Sequence, residues 1–270
     1  MRLSILFVCI SSACAVESNA INVPEVIRRS VEATETNFRE ARKYAFIEHD
    51  VVSKKDGPKT SKTYQVLFIE GSPYDKPIAA DNRPLSEQEQ KAEDTKLREE
   101  VYKRQHESVQ ERLRRVAKYQ KGQAQNQALM RDMAEAFRFW LVKEEKLDER
   151  DVYEFEATPK PGYVPRTRET RVLLGMTGTL WVDKETCQWV KVQAQVVKPV
   201  SFYGFLAKVG PGTRFELEQE PVAGKIWLPK HFSVLVNASA LGFLNENSTD
   251  DETYWNYRLM TKAMELEAVR

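Results

Sequence analysis

The chain has 270 residues, 41% hydrophobic and 30% charged, with a net charge of +1. That length can bury a sizeable core in one domain, or in one domain carrying an insertion. The near-neutral balance calls for neither a nucleic acid nor an acidic substrate.

The first residues read as an export signal. Arg2 is a minimal basic start, Leu3–Ile10 is a short apolar run, and Ala13-Cys14-Ala15 is an A-x-A-like cleavage site, with a second after Ala20. Residues 1–20 are expected to be a cleaved signal peptide and residues 21–270 one periplasmic domain. A disordered start and a lipid anchor on Cys14 are the alternatives, the latter opposed by Ser11 and Ser12 where a lipobox carries a larger apolar and a small residue. No other run approaches the ~18 apolar residues of a membrane span, so the mature protein is expected to be soluble. If Cys14 leaves with the signal, Cys187 is the one remaining thiol. No histidine lies near it in sequence, so it reads as structural.

Asn22–Arg42 is expected to be an amphipathic helix, capped by Asn22, with Pro24 in its first turn and Val23, Ile27, Val31, Thr34, Phe38 and Ala41 on one face. Strands follow at Tyr44–Ser53, Thr60–Glu70 and Lys76–Ala80, the first two joined by the Asp56-Gly57-Pro58 turn. Ser86-Glu87-Gln88-Glu89 is a capping box. It opens a charged helix to about Gln120, with a thin apolar stripe of Leu97, Val101, Val109, Leu113 and Val116 and a stop at Gly122. This helix is either a solvated insertion or an arm, lid or docking element. Asn126–Val142 is expected to be a second helix with a broad apolar face of Leu129, Met130, Met133, Phe137, Trp140 and Leu141, so the helical insertion spans about 86–142.

From Asp151 the chain reads as strand and turn: Val152–Thr158, Arg168–Leu174, Thr177–Asp183, Trp189–Val197, Thr213–Glu220, Ile226–Asn237 and Thr253–Lys262. Consecutive strands with helices in two blocks imply an α+β fold: a large antiparallel sheet covered by helices, with a long charged helical insertion.

Little reads as reaction chemistry. His49, His106 and His231 are scattered, and no H-E-x-x-H, C-x-x-C, phosphate-binding glycine loop or G-x-S-x-G elbow occurs. Asn245–Glu252 is rich in oxygen ligands but lacks the central glycine of a calcium loop, and it reads as a solvated loop. No catalytic residue, metal or cofactor is therefore expected, and a hydrolase would need a polar cluster assembled in space. Apolar residues instead gather where turns are usually polar, in Val200–Val209 and Ala238–Leu244, each with a Gly-Phe-Leu. Phe202, Tyr203, Phe205, Leu206, Phe243 and Leu244 are expected to rim an apolar cavity, ordinary buried sheet edges being the alternative.

The opening helix, the consecutive strands, Gly178-Thr-Leu-Trp-Val-Asp183-Lys-Glu-Thr186 with its partner strand, and Gly224-Lys-Ile-Trp-Leu-Pro229 together resemble the LolA/LolB-like superfamily of lipoprotein-sorting and lipid-binding proteins, including the RseB-type sensor domain. The resemblance implies a curved, unclosed antiparallel barrel whose apolar face is covered by helices and receives acyl chains. The charged helix departs from the carriers, and no functional residue of the family can be matched here. By alternation, the cavity residues are Met130, Met133, Phe137, Trp140, Leu180, Val182, Val192, Phe215, Leu217, Phe232, Val234, Trp255 and Tyr257, with Val190, Ala194, Val196 and Leu259 also facing inward. The expected function is a non-catalytic periplasmic carrier or sensor of a lipid or lipoprotein, with an envelope protein and transient membrane contact as further partners. The alternative is an exported interaction module with a packed core that meets its partners through the charged helix.

Overall fold

The computed structural model describes residues 21–54, 57–202, 207–240 and 244–261. The export signal, the turn tip at 55–56 and most of the expected cavity rim (Tyr203, Phe205, Leu206, Phe243) lie outside them. Helix α1 (Val23–Ala41) starts as expected, with the Asn22 side chain accepting from the Glu25 amide at 3.2 Å. Strands β1 (Tyr44–Lys54), β2 (Thr60–Ile69), β3 (Ser72–Ala80) and the short β4 (Arg83–Pro84) follow. Then come α2 (Glu87–His106), α3 (Val109–Ala136), β5 (Phe137–Leu147) and β6 (Arg150–Pro159). A 3-10 turn at Glu169–Gly175 precedes β7 (Met176–Asp183), β8 (Trp189–Val196), β9 (Val200–Phe202), β10 (Ala207–Val209), β11 (Arg214–Ala223), β12 (Ile226–Ala240) and β13 (Leu244–Leu259).

All thirteen strands join one antiparallel sheet in the order β4-β3-β2-β1-β13-β12-β11-β8-β7-β6-β5, with β9 and β10 attached beside β12. The two ends of the row, β4 and β5, do not pair, so the sheet is open. The α+β reading therefore holds, and five local readings change.

The charged helix breaks at Glu107-Ser108, because Ser108 and Glu111 form a second capping box that starts α3 afresh. Gly122 does not end the helix. It lies inside α3 with open space where a side chain would be, so nothing there forces a stop. The expected helix over Asn126–Val142 ends at Ala136, since Phe137, Phe139 and Leu141 alternate with Arg138, Trp140 and Val142 and form strand β5. The expected strand at Arg168–Leu174 is mostly the 3-10 turn. The expected loop Asn245–Glu252 belongs to β13, which lies between two long partner strands that satisfy its backbone.

The two long helices straddle one hairpin. Helix α2 packs Leu97 and Val101 on Ala45, Leu67 and Ile69, on the outer face of the sheet. Helix α3 begins beside the β2–β3 turn and crosses to the inner face, where Tyr119 meets Phe68 edge-on at 5.8 Å. Two arginines fasten them to that turn, whose Glu70 and Gly71 both have positive φ. The buried Arg104 donates to the carbonyls of Ile69 (3.1 Å) and Ser72 (2.9 Å), and Glu100 balances its charge at 2.7 Å. Arg115 donates to the Ser72 hydroxyl (2.6 Å) and the Glu70 carbonyl (3.0 Å). Such charge-assisted bonds are about twice as strong as neutral ones.

Candidate functional site

Strand register divides the inner face in two. One cross-strand row runs Phe155–Leu180–Val192–Leu217–Phe232–Glu252–Asp50–Lys62. It is apolar over β6, β7, β8, β11 and β12, and charged over β13, β1 and β2. The next row, Ala157–Gly178–Ala194–Phe215–Val234–Asp250, makes the same change at β13.

Helices α1 and α3 cover the apolar half. Ile27 and Val31 of α1 pack on Phe155, Leu180, Val182 and Trp189, while Met130, Met133 and Ala134 of α3 join from the side. A small apolar pocket of about 50 Å³ remains among Ile27, Val31, Met133, Phe137, Phe139, Leu180, Trp189 and Val192. Between the helices an open groove of about 730 Å³ reaches the same Ile27, Val31, Phe137 and Phe139. Arg28, Arg131, Arg138 and Lys160 also line this groove.

The two helices are held differently. The buried Ser30 hydroxyl of α1 accepts from Trp189 Nε1 at 2.9 Å. The buried Asn37 amide donates to Gln188 Oε1 at 2.7 Å, and its oxygen accepts from the Trp227 amide at 3.1 Å. Breaking these inside the core leaves polar groups unsatisfied, so they latch α1 to the sheet. The C-terminal part of α3 rests mainly on apolar contacts of Leu129, Met130 and Met133, with a surface ion pair from Arg131 to Glu35 (3.3 Å) and one from the exposed Arg166 to the buried Asp132 (3.2 Å).

The other half of the inner face gathers carboxylates. Burial pushes Glu48 up to about 7, helped by Glu252, Asp75, Asp50 and Asp250. Asp50 rises to about 6 through burial, a hydrogen bond to Asp250, and the charges of Asp250 and Glu252, against Lys62. Burial also raises Asp75 and Glu252. Tyr254 donates to Glu252, and Tyr257 donates to the Pro229 carbonyl at 2.5 Å. Both phenols are raised, chiefly by burial. Across the sheet on its outer face, His49 and His231 both pair with Thr253. His231 Nε2 lies 3.0 Å from Asp251 and His49 Nδ1 lies 2.9 Å from Thr63 Oγ1. Among the described residues no group of three or more His, Cys, Asp or Glu is placed to hold a metal.

The Trp181–Thr186 signature makes a tight turn. Asp183 accepts from the Thr186 amide (2.7 Å) and hydroxyl (2.6 Å), and Cys187 follows with φ of 56°. Cys187 is buried, and burial pushes its thiol up, which makes it a poor nucleophile.

Of the expected cavity residues, Met133, Phe137, Leu180 and Val192 line the small apolar pocket, and Met130, Val182 and Leu217 pack around it. Phe215 packs in the adjoining cluster, and register places Phe232 and Val234 beside Leu217 and Phe215. Trp140 pairs with Glu156 and Trp255 with Ile47, on the outer face, 40% and 42% exposed. Trp140 moved because its segment is a strand. Trp255 moved because β13 holds its alternation only to a bulge at Asn256 (φ 60°), past which Tyr257 faces Phe46 on the inner face. Val190 likewise falls in a bulge and packs with Val152 and Trp227 on the far side. Phe202 and Leu244 belong to β9 and β13. Phe139, Phe155, Trp189 and Ala134 were not on the expected list. Alternation through Phe137-Arg138-Phe139-Trp140-Leu141 signals the first of these, once β5 is read as a strand.

No family model matches the chain, and no curated protein matches it. Solved structures of similar arrangement include a LolA superfamily protein from Nitrosomonas europaea, with 12% identity over 90% of this chain and 95% of that one, and a TM-score of 0.30. A DUF1329 family protein from Desulfovibrio piger has 14% identity over 93% and 100%, with a TM-score of 0.35. The Pseudomonas aeruginosa MucA/MucB complex has 12% identity over 91% and 96%, with a TM-score of 0.22. These neighbours include the superfamily that the sequence resembles. What this chain binds has to be read from its own residues.

Proposed function

We propose that this chain is a non-catalytic, exported, periplasmic carrier or sensor that takes acyl chains of a lipid or lipoprotein between α1, α3 and the apolar half of the sheet. The observation that carries this reading is the unequal fastening of the two covers over one continuous apolar surface. Buried hydrogen bonds hold α1, whereas methionine and leucine side chains hold the end of α3. Methionines adapt to irregular apolar ligands at little cost. Ligand pockets generally measure about 300–1,000 Å³, so the 50 Å³ pocket must grow, and lifting α3 joins it to the open groove. Each methylene buried there is worth about 0.8 kcal/mol.

The test is to tie the covers together. Glu35→Cys and Arg131→Cys, bridged by a short bis-maleimide, should abolish uptake of a fluorescent fatty-acyl probe, while the unbridged double variant binds it. Equal uptake by both would contradict the moving-cover reading. The small volume of this pocket favours a second reading, in which the packed core is purely structural and the protein is an exported interaction module working through α2 and α3. In that case neither form takes up the probe.

A further inference from the structure

The α2–α3 bend has no role in holding an acyl chain, and its outward surface has an unusual composition. Tyr102 on the last turn of α2 is 64% exposed, and Val109 and Leu113 on the first turns of α3 are 78% and 64% exposed. Val109 and Leu113 are four residues apart and share one side of the helix. Around the bend, Tyr102–Lys121 carries seven Lys and Arg against two Glu. These charges divide by direction. Those turned toward the body are engaged: Arg104 and Arg115 clamp the β2–β3 turn, and Arg112 and Arg115 pair with Glu107. Arg114, Lys118 and Lys121 follow at helical spacing on the side of α3 opposite Val116 and Tyr119, which touch the body. Among the described residues none of these three has an ion-pair partner.

We propose that this bend docks on the surface of an anionic phospholipid bilayer, with Val109 and Leu113 entering the headgroup boundary and Arg114, Lys118 and Lys121 meeting lipid phosphates. Exposed aliphatic and aromatic side chains beside unpaired cations are the composition that such an interface rewards. An acidic protein surface would meet the cations, but it gives no reason for two aliphatic side chains held this far into solvent. The inference does not depend on acyl-chain uptake. It is notable, however, that α3 is 28 residues long, so one helix of about 42 Å joins the docking bend to the cover of the apolar half.

The test is co-sedimentation of the full mature chain with vesicles of phosphatidylcholine containing 30% phosphatidylglycerol, against pure phosphatidylcholine. Binding to the anionic vesicles is expected, with little to the neutral ones. Arg114→Gln, Lys118→Gln and Lys121→Gln combined should weaken it about a hundredfold, at about fivefold per cation. Val109→Ser with Leu113→Ser should weaken it about tenfold with the salt dependence intact. All five side chains point away from the core, and circular dichroism checks that the variants fold. Equal binding to both vesicle types, no binding to either, or anionic binding that both variants retain would overturn the proposal. Capture of an acidic protein through the same residues, with no vesicle binding, would do so as well.

Discussion

The two halves of the inner face belong to one sheet and share the same cross-strand rows, yet they solve opposite problems. Over β5, β6, β7, β8, β11 and β12 the inward side chains of these rows are apolar, and two helices shield them from water. Over β13, β1 and β2 the inward side chains include Asp250, Glu252, Asp50 and Glu48, and no helix packs a hydrophobic cluster on them among the described residues. The boundary is a single strand pair, Phe232 beside Glu252. A sheet thus limits how far an apolar ligand can spread without needing a wall: the next strand carries charge, and burying it would be costly.

That contrast can be broken most severely at its apolar centre. Phe155 is fully buried, and Phe155→Ala should cost about 3–5 kcal/mol, read as a large fall in the denaturation midpoint. The half-buried Phe46, which touches Tyr254 and Tyr257 in the acidic half, should cost clearly less on the same change. Equal losses would show that the two halves are not differently packed. A smaller effect concerns the latch. Trp189→Phe removes the donor to Ser30 and should cost about 1–2 kcal/mol, with faster amide exchange in α1 than in α3 relative to the parent. Acceleration confined to α3 would reverse the roles given to the two helices.

The acidic half should reveal itself through pH. Glu48 titrates near 7 in the folded chain, above its ordinary 4.5, so folding takes up a proton between those values. Its contribution is therefore favourable below about 4.5 and is lost as pH rises through about 7. Glu48→Gln should stabilise the fold at pH 8 by about 1 kcal/mol or less after allowing for solvent screening, read as a higher melting temperature, and leave stability nearly unchanged at pH 4. The smallest effect is expected at Trp140, on the outer face, where Trp140→Ser should shift stability by about 0.5 kcal/mol or less and leave acyl binding intact. Loss of binding there would place the ligand on the wrong face for this account.

Much of this was legible in the residues. Asn22 and the Ser86–Glu89 box mark helix starts, and alternation through Leu180, Val182, Val192, Leu217 and Phe232 marks the apolar face correctly. What failed has local physical causes. Ser108–Glu111 is as good a cap as the first, but a continuous charged run hides it. In Leu129–Leu141 the apolar spacing fits a helix and a strand in turn, and the exchange at Ala136 leaves no glycine or proline to mark it. Alternation also cannot see bulges, which turned Val190 and Trp255 to the other face. The acidic half was least visible, because Asn245–Glu252 has the composition of a loop and becomes a strand only through the two long partners that flank it.

The most direct test of the central claim is native mass spectrometry of the mature chain purified from an exporting host, with lipid extraction of whatever travels with it. The account predicts a bound acyl-bearing lipid or acylated peptide, lost on Met133→Glu in a variant whose circular dichroism matches the parent. A chain that emerges empty and also ignores added fatty-acyl probes would contradict it.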